Sequence, residues 1–186
     1  MGNGLDELVE KVRGKTVVIY GESWSGKTTL AYALAKKLGK TLYLDADKNY
    51  QFKHNDNVDV VQINSFADAT EAIKNAEGYD AVVIDSMSGL VADVIGMIGA
   101  GNPRAVLIST QSQENLVKAA KKKFNTVIIV AHVGADLRTG GERIRVNQSI
   151  LRFADALIRV MALKDRRIVK VMTRKPIDEP QFEVYA

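Results

Sequence analysis

The chain has 186 residues, 46% of them hydrophobic, which is enough for one sizeable core but hardly for two, so we expect a single globular domain over 1–186. Its 26 basic and 22 acidic residues give a net charge of +4, which permits a polyanionic partner without requiring one. The lack of cysteine excludes disulfides, thiolate metal sites and cysteine nucleophiles, and no apolar run reaches the ~20 residues that span a bilayer, so we expect a cytoplasmic protein without membrane contact.

Short β-branched apolar runs alternate with longer segments of helical period along most of the chain. This alternation is typical of an α/β fold, a mostly parallel twisted sheet with helices on both faces. We predict five strands that are nearly continuous in apolar residues, as strands buried on both faces should be: Thr16–Tyr20, Thr41–Asp45, Val58–Ile63, Ala81–Asp85 and Thr126–Val130. The predicted helices are Thr28–Leu38, Phe66–Ala76 and a stretch around Gln113–Lys123.

The last third of the chain has a different pattern. After Val130, a loop rich in glycine and arginine leads to three apolar runs that are too closely spaced for crossover helices. We predict that they form an antiparallel C-terminal extension of the sheet: Ala156–Leu163, Arg167–Thr173 and Gln181–Tyr185.

A phosphate-binding signature directly follows the first predicted strand. The run from Gly21 to Thr28 fits the pattern G-x-x-x-x-G-K-[ST] at every required position. Its glycines allow close approach of the backbone, successive N–H groups form an anion site, and the lysine adds a positive charge. We therefore predict binding of Mg-ATP, with Thr28 as a ligand of Mg²⁺. The predicted nucleotide-binding residues are Gly21, Glu22, Ser23, Trp24, Ser25, Gly26, Lys27, Thr28 and Thr29.

The second predicted metal residue is Asp85. It ends the apolar run Val82-Val83-Ile84, and a carboxylate at the end of a neighbouring strand is what Mg²⁺ needs beside a P-loop, where it would hold the ion through a water. A helix cap is the structural alternative for an aspartate after a strand. The distance along the chain from Lys27 favours the metal role.

Three segments extend these motifs into a family resemblance. Gly4-Leu5-Asp6-Glu7-Leu8, Ile19-Tyr20-Gly21-Glu22 and Leu42-Tyr43-Leu44-Asp45-Ala46-Asp47 resemble the corresponding segments of the RecA-like recombinase ATPases, and most closely the archaeal RadA and RadB-type proteins and their short single-domain paralogues. The resemblance implies a RecA-like P-loop NTPase core and ATP hydrolysis.

The same resemblance assigns two further catalytic positions. Asp47 falls where the family has a glutamate that positions the attacking water, and its side chain is one methylene shorter, so hydrolysis would be slow. A solvated turn carboxylate is the alternative. His132 falls where the family has a glutamine that senses the γ-phosphate, and an imidazole would make this coupling depend on pH. A structural histidine is the alternative there.

The segment after His132 is similar to the family's flexible DNA-binding loop. Eleven basic and four acidic residues lie between positions 133 and 175, a net charge of +7 in a chain whose total is +4. This asymmetry indicates a face for single-stranded DNA, with affinity that falls steeply with salt. We predict DNA contacts from Arg138, Arg143 and Arg145, and the resemblance makes Lys164 and Arg166 candidates to act in trans on a neighbouring subunit.

Two functions of different classes follow. The first is a slow ATPase, stimulated by DNA, that assists recombination or repair beside a full-length recombinase or by self-association. The chain has neither the N-terminal helical domain nor the polymerisation linker of full recombinases, so we expect an accessory paralogue. The alternative is a KaiC-like nucleotide-dependent switch that regulates protein partners, and a small-molecule kinase ranks third.

Overall fold

The computed structural model describes residues 4–48, 55–135, 140–162, 167–173 and 181–184. Within these ranges the helices are α1 Gly4–Val12, α2 Lys27–Ala35, α3 Phe66–Asn75, α4 Met87–Ile98, α5 Pro103–Lys123 and α6 Gln148–Phe153. The strands are β1 Thr16–Gly21, β2 Thr41–Asp45, β3 Val58–Gln62, β4 Ala81–Asp85, β5 Thr126–Ala135, β6 Glu142–Ile144, β7 Ala156–Ala162, β8 Arg167–Thr173 and β9 Gln181–Val184.

The strands form one mostly parallel sheet, as predicted. Its order is β3-β2-β4-β5-β1-β7-β8-β9, with β6 paired to β5 outside this path. All neighbours from β3 to β7 run parallel, whereas β8 and β9 run antiparallel. The predicted antiparallel extension therefore begins one strand later than expected, because β7 pairs in parallel with β1.

Two hydrophobic cores cover the two faces of the sheet. One packs α3, α5 and the start of α4 against one face, and the other packs α1 and α2 against the opposite face. Strands β1, β2 and β4 are buried along their whole length, which explains why they read as continuous apolar runs. Packing on both faces fixes the positions of the strands and therefore of their carboxyl ends.

Several elements differ from the prediction. Strand β5 continues to Ala135, and Glu142–Ile144 pairs with its end in antiparallel fashion, so part of the expected flexible loop is a β-hairpin. Helix α5 begins at Pro103, much earlier than expected, because Asn102 caps it by accepting a hydrogen bond from the Arg104 N–H. Helices α1, α4 and α6 were not predicted; α4 is apolar around much of its circumference and lacks a clear helical stripe.

No helix within the described ranges combines the length and the apolar character needed to cross a membrane.

Candidate nucleotide-binding site

The predicted site residues converge at the carboxyl edge of the parallel strands. Gly21 at the end of β1 is in register with His132 on β5, and Asp45 at the end of β2 is in register with Asp85 on β4. Ligands of open α/β sheets bind outside this edge, where successive loops leave the strands. Asp47 follows the end of β2 by two residues. The P-loop, Asp47, Asp85 and His132 therefore lie at the same edge of the sheet.

The backbone of the P-loop requires glycine at two positions. Gly26 adopts φ 94° immediately before α2 begins at Lys27, in the left-handed region that favours glycine. A Cβ atom at Gly21 would collide with the carbonyl oxygen of Val160 on β7. Gly21 thus allows β1 to lie close to β7, and Gly26 lets the loop turn into α2. The first N–H groups of this helix have no partner within the helix and form an anion site.

Lys27 is folded back onto its own loop. Its Nζ donates a hydrogen bond of 2.6 Å to the carbonyl oxygen of Glu22, and the residue is almost fully buried. Burial lowers the pKa of Lys27, and the carboxylates of Asp85 and Asp47 act in the opposite direction. A phosphate group would supply the buried ammonium with a partner of opposite charge.

The side chain of Trp24 extends from the P-loop into solvent. It is 92% exposed and adopts φ 65°, a left-handed conformation that costs a residue with a side chain ~1 kcal/mol or more. An exposed indole beside the anion site is a suitable fluorescence reporter of nucleotide binding.

The two predicted metal residues touch each other. Burial raises the pKa of Asp85 to about 6, against the opposing effect of hydrogen bonds from Tyr43 and Thr28. The Tyr43 hydroxyl donates to Oδ2 of Asp85 at 2.5 Å. The other oxygen, Oδ1, is buried and has no hydrogen-bond partner among the described residues.

This arrangement fits a magnesium ion. Mg²⁺ prefers one or two protein oxygens together with substrate phosphates and water, and Thr28 and Asp85 offer a hydroxyl and a carboxylate beside the P-loop. The unsatisfied Oδ1 of Asp85 is the kind of buried polar atom whose lack of a partner calls for an ion or a water. Thr28 and Asp85 are therefore the residues that would hold the ion.

Asp47 and His132, the two candidate catalytic residues, lie against each other. Nε2 of His132 is 3.4 Å from Oδ2 of Asp47, and Oδ1 accepts a hydrogen bond of 3.1 Å from the Ser86 hydroxyl. The side chains of Asp47 and His132 are 28% and 32% exposed, so solvent reaches both of them. Burial favours a higher pKa for Asp47, but hydrogen bonds from His132 and Ser86 and the charge of Lys27 outweigh it and lower the pKa.

The basic hairpin of β5 and β6 begins directly at this site. The Arg145 N–H donates to the His132 carbonyl oxygen at 2.8 Å. The Ser88 hydroxyl, near the start of α4, accepts from the His132 N–H at 3.0 Å and donates to the Arg145 carbonyl oxygen at 3.1 Å. One side chain close to Asp85 therefore bridges both strands at the base of the hairpin.

The arginines of the hairpin face solvent. Arg143 and Arg145 are exposed, and the guanidinium of Arg145 lies so close to Gly134 that a Cβ atom there would collide with it. Glu142 forms an ion pair of 2.6 Å with Arg159 on β7. The remaining predicted residues, Arg138, Lys164 and Arg166, lie outside the described residues.

Three residues of the site were not predicted to have a role in it. Tyr43 is the one aromatic residue of the buried strand β2, and its hydroxyl is the signal that could have indicated a polar partner in the core. Ser86 and Ser88 flank the start of α4, and Ser86 caps that helix by accepting from the Gly89 N–H. Serine after a strand indicates a cap, but contacts to Asp47 and to the hairpin depend on tertiary structure.

Comparisons with known proteins agree with this geometry. The AAA domain family matches residues 13–150. RecA proteins from Caulobacter sp. (strain K31) and from Chloroflexus aurantiacus are 27% and 28% identical to the chain, over 92% and 94% of its length. The chain spans 58% and 59% of the length of these two relatives.

A solved structure shares the fold. The crystal structure of the RadB recombinase superimposes with a TM-score of 0.71 at 19% sequence identity, covering 99% of this chain and 94% of that one. The similarity extends over the sheet, its flanking helices and the antiparallel C-terminal strands.

Proposed function

Because the chain belongs to the AAA domain family and to the RecA-like recombinase ATPase superfamily, we propose that it is a magnesium-dependent ATP hydrolase that binds single-stranded DNA and assists recombination or repair. The observation that carries the proposal is the convergence of Lys27, Asp85, Asp47 and His132 at one sheet edge, at the root of a basic hairpin.

The P-loop would bind the triphosphate. The N–H groups at the start of α2 and the ammonium of Lys27 would contact the phosphates, with Lys27 leaving the Glu22 carbonyl that now accepts its hydrogen bond. Thr28 and Asp85 would hold Mg²⁺, which when bound neutralises charge on the phosphates. Burial of Lys27 strengthens its attraction to an anion.

Asp47 would orient the water that attacks the γ-phosphate. Its lowered pKa keeps it ionised at neutral pH, so it can accept a hydrogen bond from that water. The Ser86 hydroxyl binds Oδ1 of Asp47, and His132 lies near Oδ2. When ATP is bound, His132 would leave Asp47 and bind a phosphate oxygen in an exchange of partners. This exchange would report the nucleotide state to the strand that carries the hairpin.

The hairpin would bind the DNA backbone. Arg143 and Arg145 are exposed there, and the segment from 133 to 175 is strongly basic. Contacts with phosphates carry little sequence information and weaken with salt. A partner recombinase or a second copy of the chain would complete the assembly, and the solved structure that shares the fold is named a recombinase.

The test is ATP turnover and binding of a fluorescent oligo(dT) strand, both measured across a salt series. We expect the strand to bind at low salt, to accelerate turnover, and to dissociate as salt rises. Arg143→Ala should weaken binding and lower the slope of log affinity against log salt by about 0.7, the value for one phosphate contact on a single strand.

Lys15→Ala is the matched control. Lys15 is exposed just before β1, at the amino edge of the sheet, and its removal causes the same loss of charge. It should leave DNA binding almost unchanged. If the wild-type protein hydrolyses ATP but does not bind the strand even at low salt, the DNA proposal is wrong and the KaiC-like switch with a protein partner becomes the better hypothesis.

A further inference from the structure

We infer that Tyr43 is a positioning residue for the metal carboxylate: its hydroxyl holds one oxygen of Asp85 and leaves the other free for Mg²⁺ or a water on the ion. The inference rests on the proposed function and extends it to a residue on a strand that carries none of the predicted metal ligands. Tyr43 lies on β2, and Asp85 ends the neighbouring strand β4.

The contact between the two side chains is short and buried. The Tyr43 hydroxyl donates to Oδ2 of Asp85 at 2.5 Å, and both residues are fully buried. The phenol is the donor of this pair and the carboxylate is its acceptor, so the hydrogen bond has one direction, from Tyr43 to Asp85.

The free oxygen of Asp85 distinguishes this pair from ordinary core packing. A buried polar pair that serves only stability usually satisfies all of its atoms. Here Oδ1 has no partner among the described residues, although Thr28, the other proposed metal residue, is adjacent. Tyr43 thus occupies one carboxylate oxygen, Oδ2, while Oδ1 is left for the ion.

Tyr43 also connects the carboxylate to the helix of the P-loop. Its ring packs edge to face against Tyr32 of α2, with centroids 5.8 Å apart and an interplanar angle of 71°. Tyr32 therefore packs against the ring of Tyr43, while the hydroxyl of Tyr43 binds Asp85. Groups that orient a metal ligand in this way typically change metal affinity or activity 10- to 100-fold when they are removed.

The test is calorimetric binding of ADP across a Mg²⁺ series, which does not depend on turnover. Tyr43→Phe keeps the ring and removes the hydroxyl. We expect ADP binding without Mg²⁺ to match the wild type, which also shows that the variant is folded, and the Mg²⁺ concentration at half-effect to rise by about tenfold. An unchanged half-effect concentration overturns the inference.

Tyr79→Phe is the matched control, because the Tyr79 hydroxyl donates to a carboxylate oxygen of Asp59 at 2.6 Å, exposed at the edge strand β3. It should leave the Mg²⁺ dependence unchanged. In an Asp85→Asn background, Tyr43→Phe should cause no further change in ADP binding across the Mg²⁺ series. If Tyr43 had only a structural role, the substitution would weaken binding equally in both backgrounds, and that result would contradict the inference.

The outcomes also separate this inference from the proposed function. If the wild-type protein binds ADP and Mg²⁺ promotes that binding, but Tyr43→Phe behaves in the same way, only the role of Tyr43 is wrong. If Mg²⁺ has no effect on nucleotide binding by the wild-type protein, the proposed magnesium site and the role of Tyr43 both fail.

Discussion

Nε2 of His132 lies 3.4 Å from Oδ2 of Asp47, so the side chain proposed to position water and the side chain proposed to sense phosphate are in contact. Ser86 binds the other oxygen of the same carboxylate. In this arrangement Asp47 is held between the strand that carries the metal carboxylate and the strand that leads into the hairpin. A change at Asp47 can therefore affect hydrolysis without altering the P-loop.

Asp47→Asn should lower ATP turnover while nucleotide binding is preserved. The substitution keeps the shape of the side chain but removes the charge that would accept a hydrogen bond from the attacking water, and we expect turnover to fall by about 10²-fold. Steady-state hydrolysis and equilibrium ADP binding measure the two effects separately. Asp93→Asn, on the exposed surface of α4, is the control and should retain turnover. Normal turnover in Asp47→Asn would remove Asp47 from the mechanism.

Lys27→Ala should abolish the response of Trp24 fluorescence to Mg-ATP. The ammonium is buried beside the anion site, and its loss leaves the phosphates without their main positive partner. Emission at increasing Mg-ATP concentrations measures the effect, because Trp24 is the single tryptophan of the chain. Lys36→Ala, at the exposed far end of the same helix, should retain the response. A full response in Lys27→Ala would contradict the P-loop assignment.

The strands around the P-loop could be predicted because their signals are local. The P-loop signature combines a strand, two required glycines and a helix start within a few residues. Strand β4 with its terminal Asp85 is an apolar run whose bounds match the prediction. Buried parallel strands are continuous in sequence, so they need no knowledge of their neighbours to be recognised.

The residues that could not be predicted depend on pairings between distant segments. The Tyr43 hydroxyl meets Asp85 only because β2 and β4 are adjacent in register. Strand β6 has three residues, two of them charged, and no periodicity reveals such a strand. It exists because β5 continues beyond His132 and offers it an edge.

The stability of the metal-free protein should depend on pH through Asp85. Burial raises its pKa in the folded state from 3.8 to about 6. Between these two pKa values Asp85 is ionised in the unfolded chain but still protonated in the folded chain. The stabilising contribution of protonated Asp85, which is fully present below pH 3.8, is therefore lost as pH rises to about 6. The shift corresponds to a loss of up to about 3 kcal/mol in the free energy of unfolding.

The measurement is urea unfolding in EDTA at several pH values, for the wild type and for Asp85→Asn. The asparagine does not titrate, so the difference between the two free energies of unfolding isolates the Asp85 contribution. We expect the wild type to lose stability relative to the variant as pH rises from 3.8 to about 6. Parallel curves would show that the Asp85 pKa is not raised.

Ser88→Ala should destabilise the base of the hairpin and weaken its coupling to the nucleotide. The hydroxyl accepts from the His132 N–H and donates to the Arg145 carbonyl oxygen, and its loss leaves these two backbone groups without that partner. We expect the free energy of unfolding to fall by about 1–3 kcal/mol and ATP to lose much of its effect on oligo(dT) affinity. Chemical unfolding and DNA titrations with and without ATP measure the two effects.

Ser109→Ala provides the comparison for Ser88→Ala. Ser109 is also buried, but its hydroxyl donates within α5, to the Val106 carbonyl oxygen. Such a local bond contributes little to helix stability, so this variant should lose less stability and keep the effect of ATP on DNA affinity. If both serine variants lose stability equally and both retain the ATP effect, Ser88 is a packing residue and the coupling runs through His132 without it.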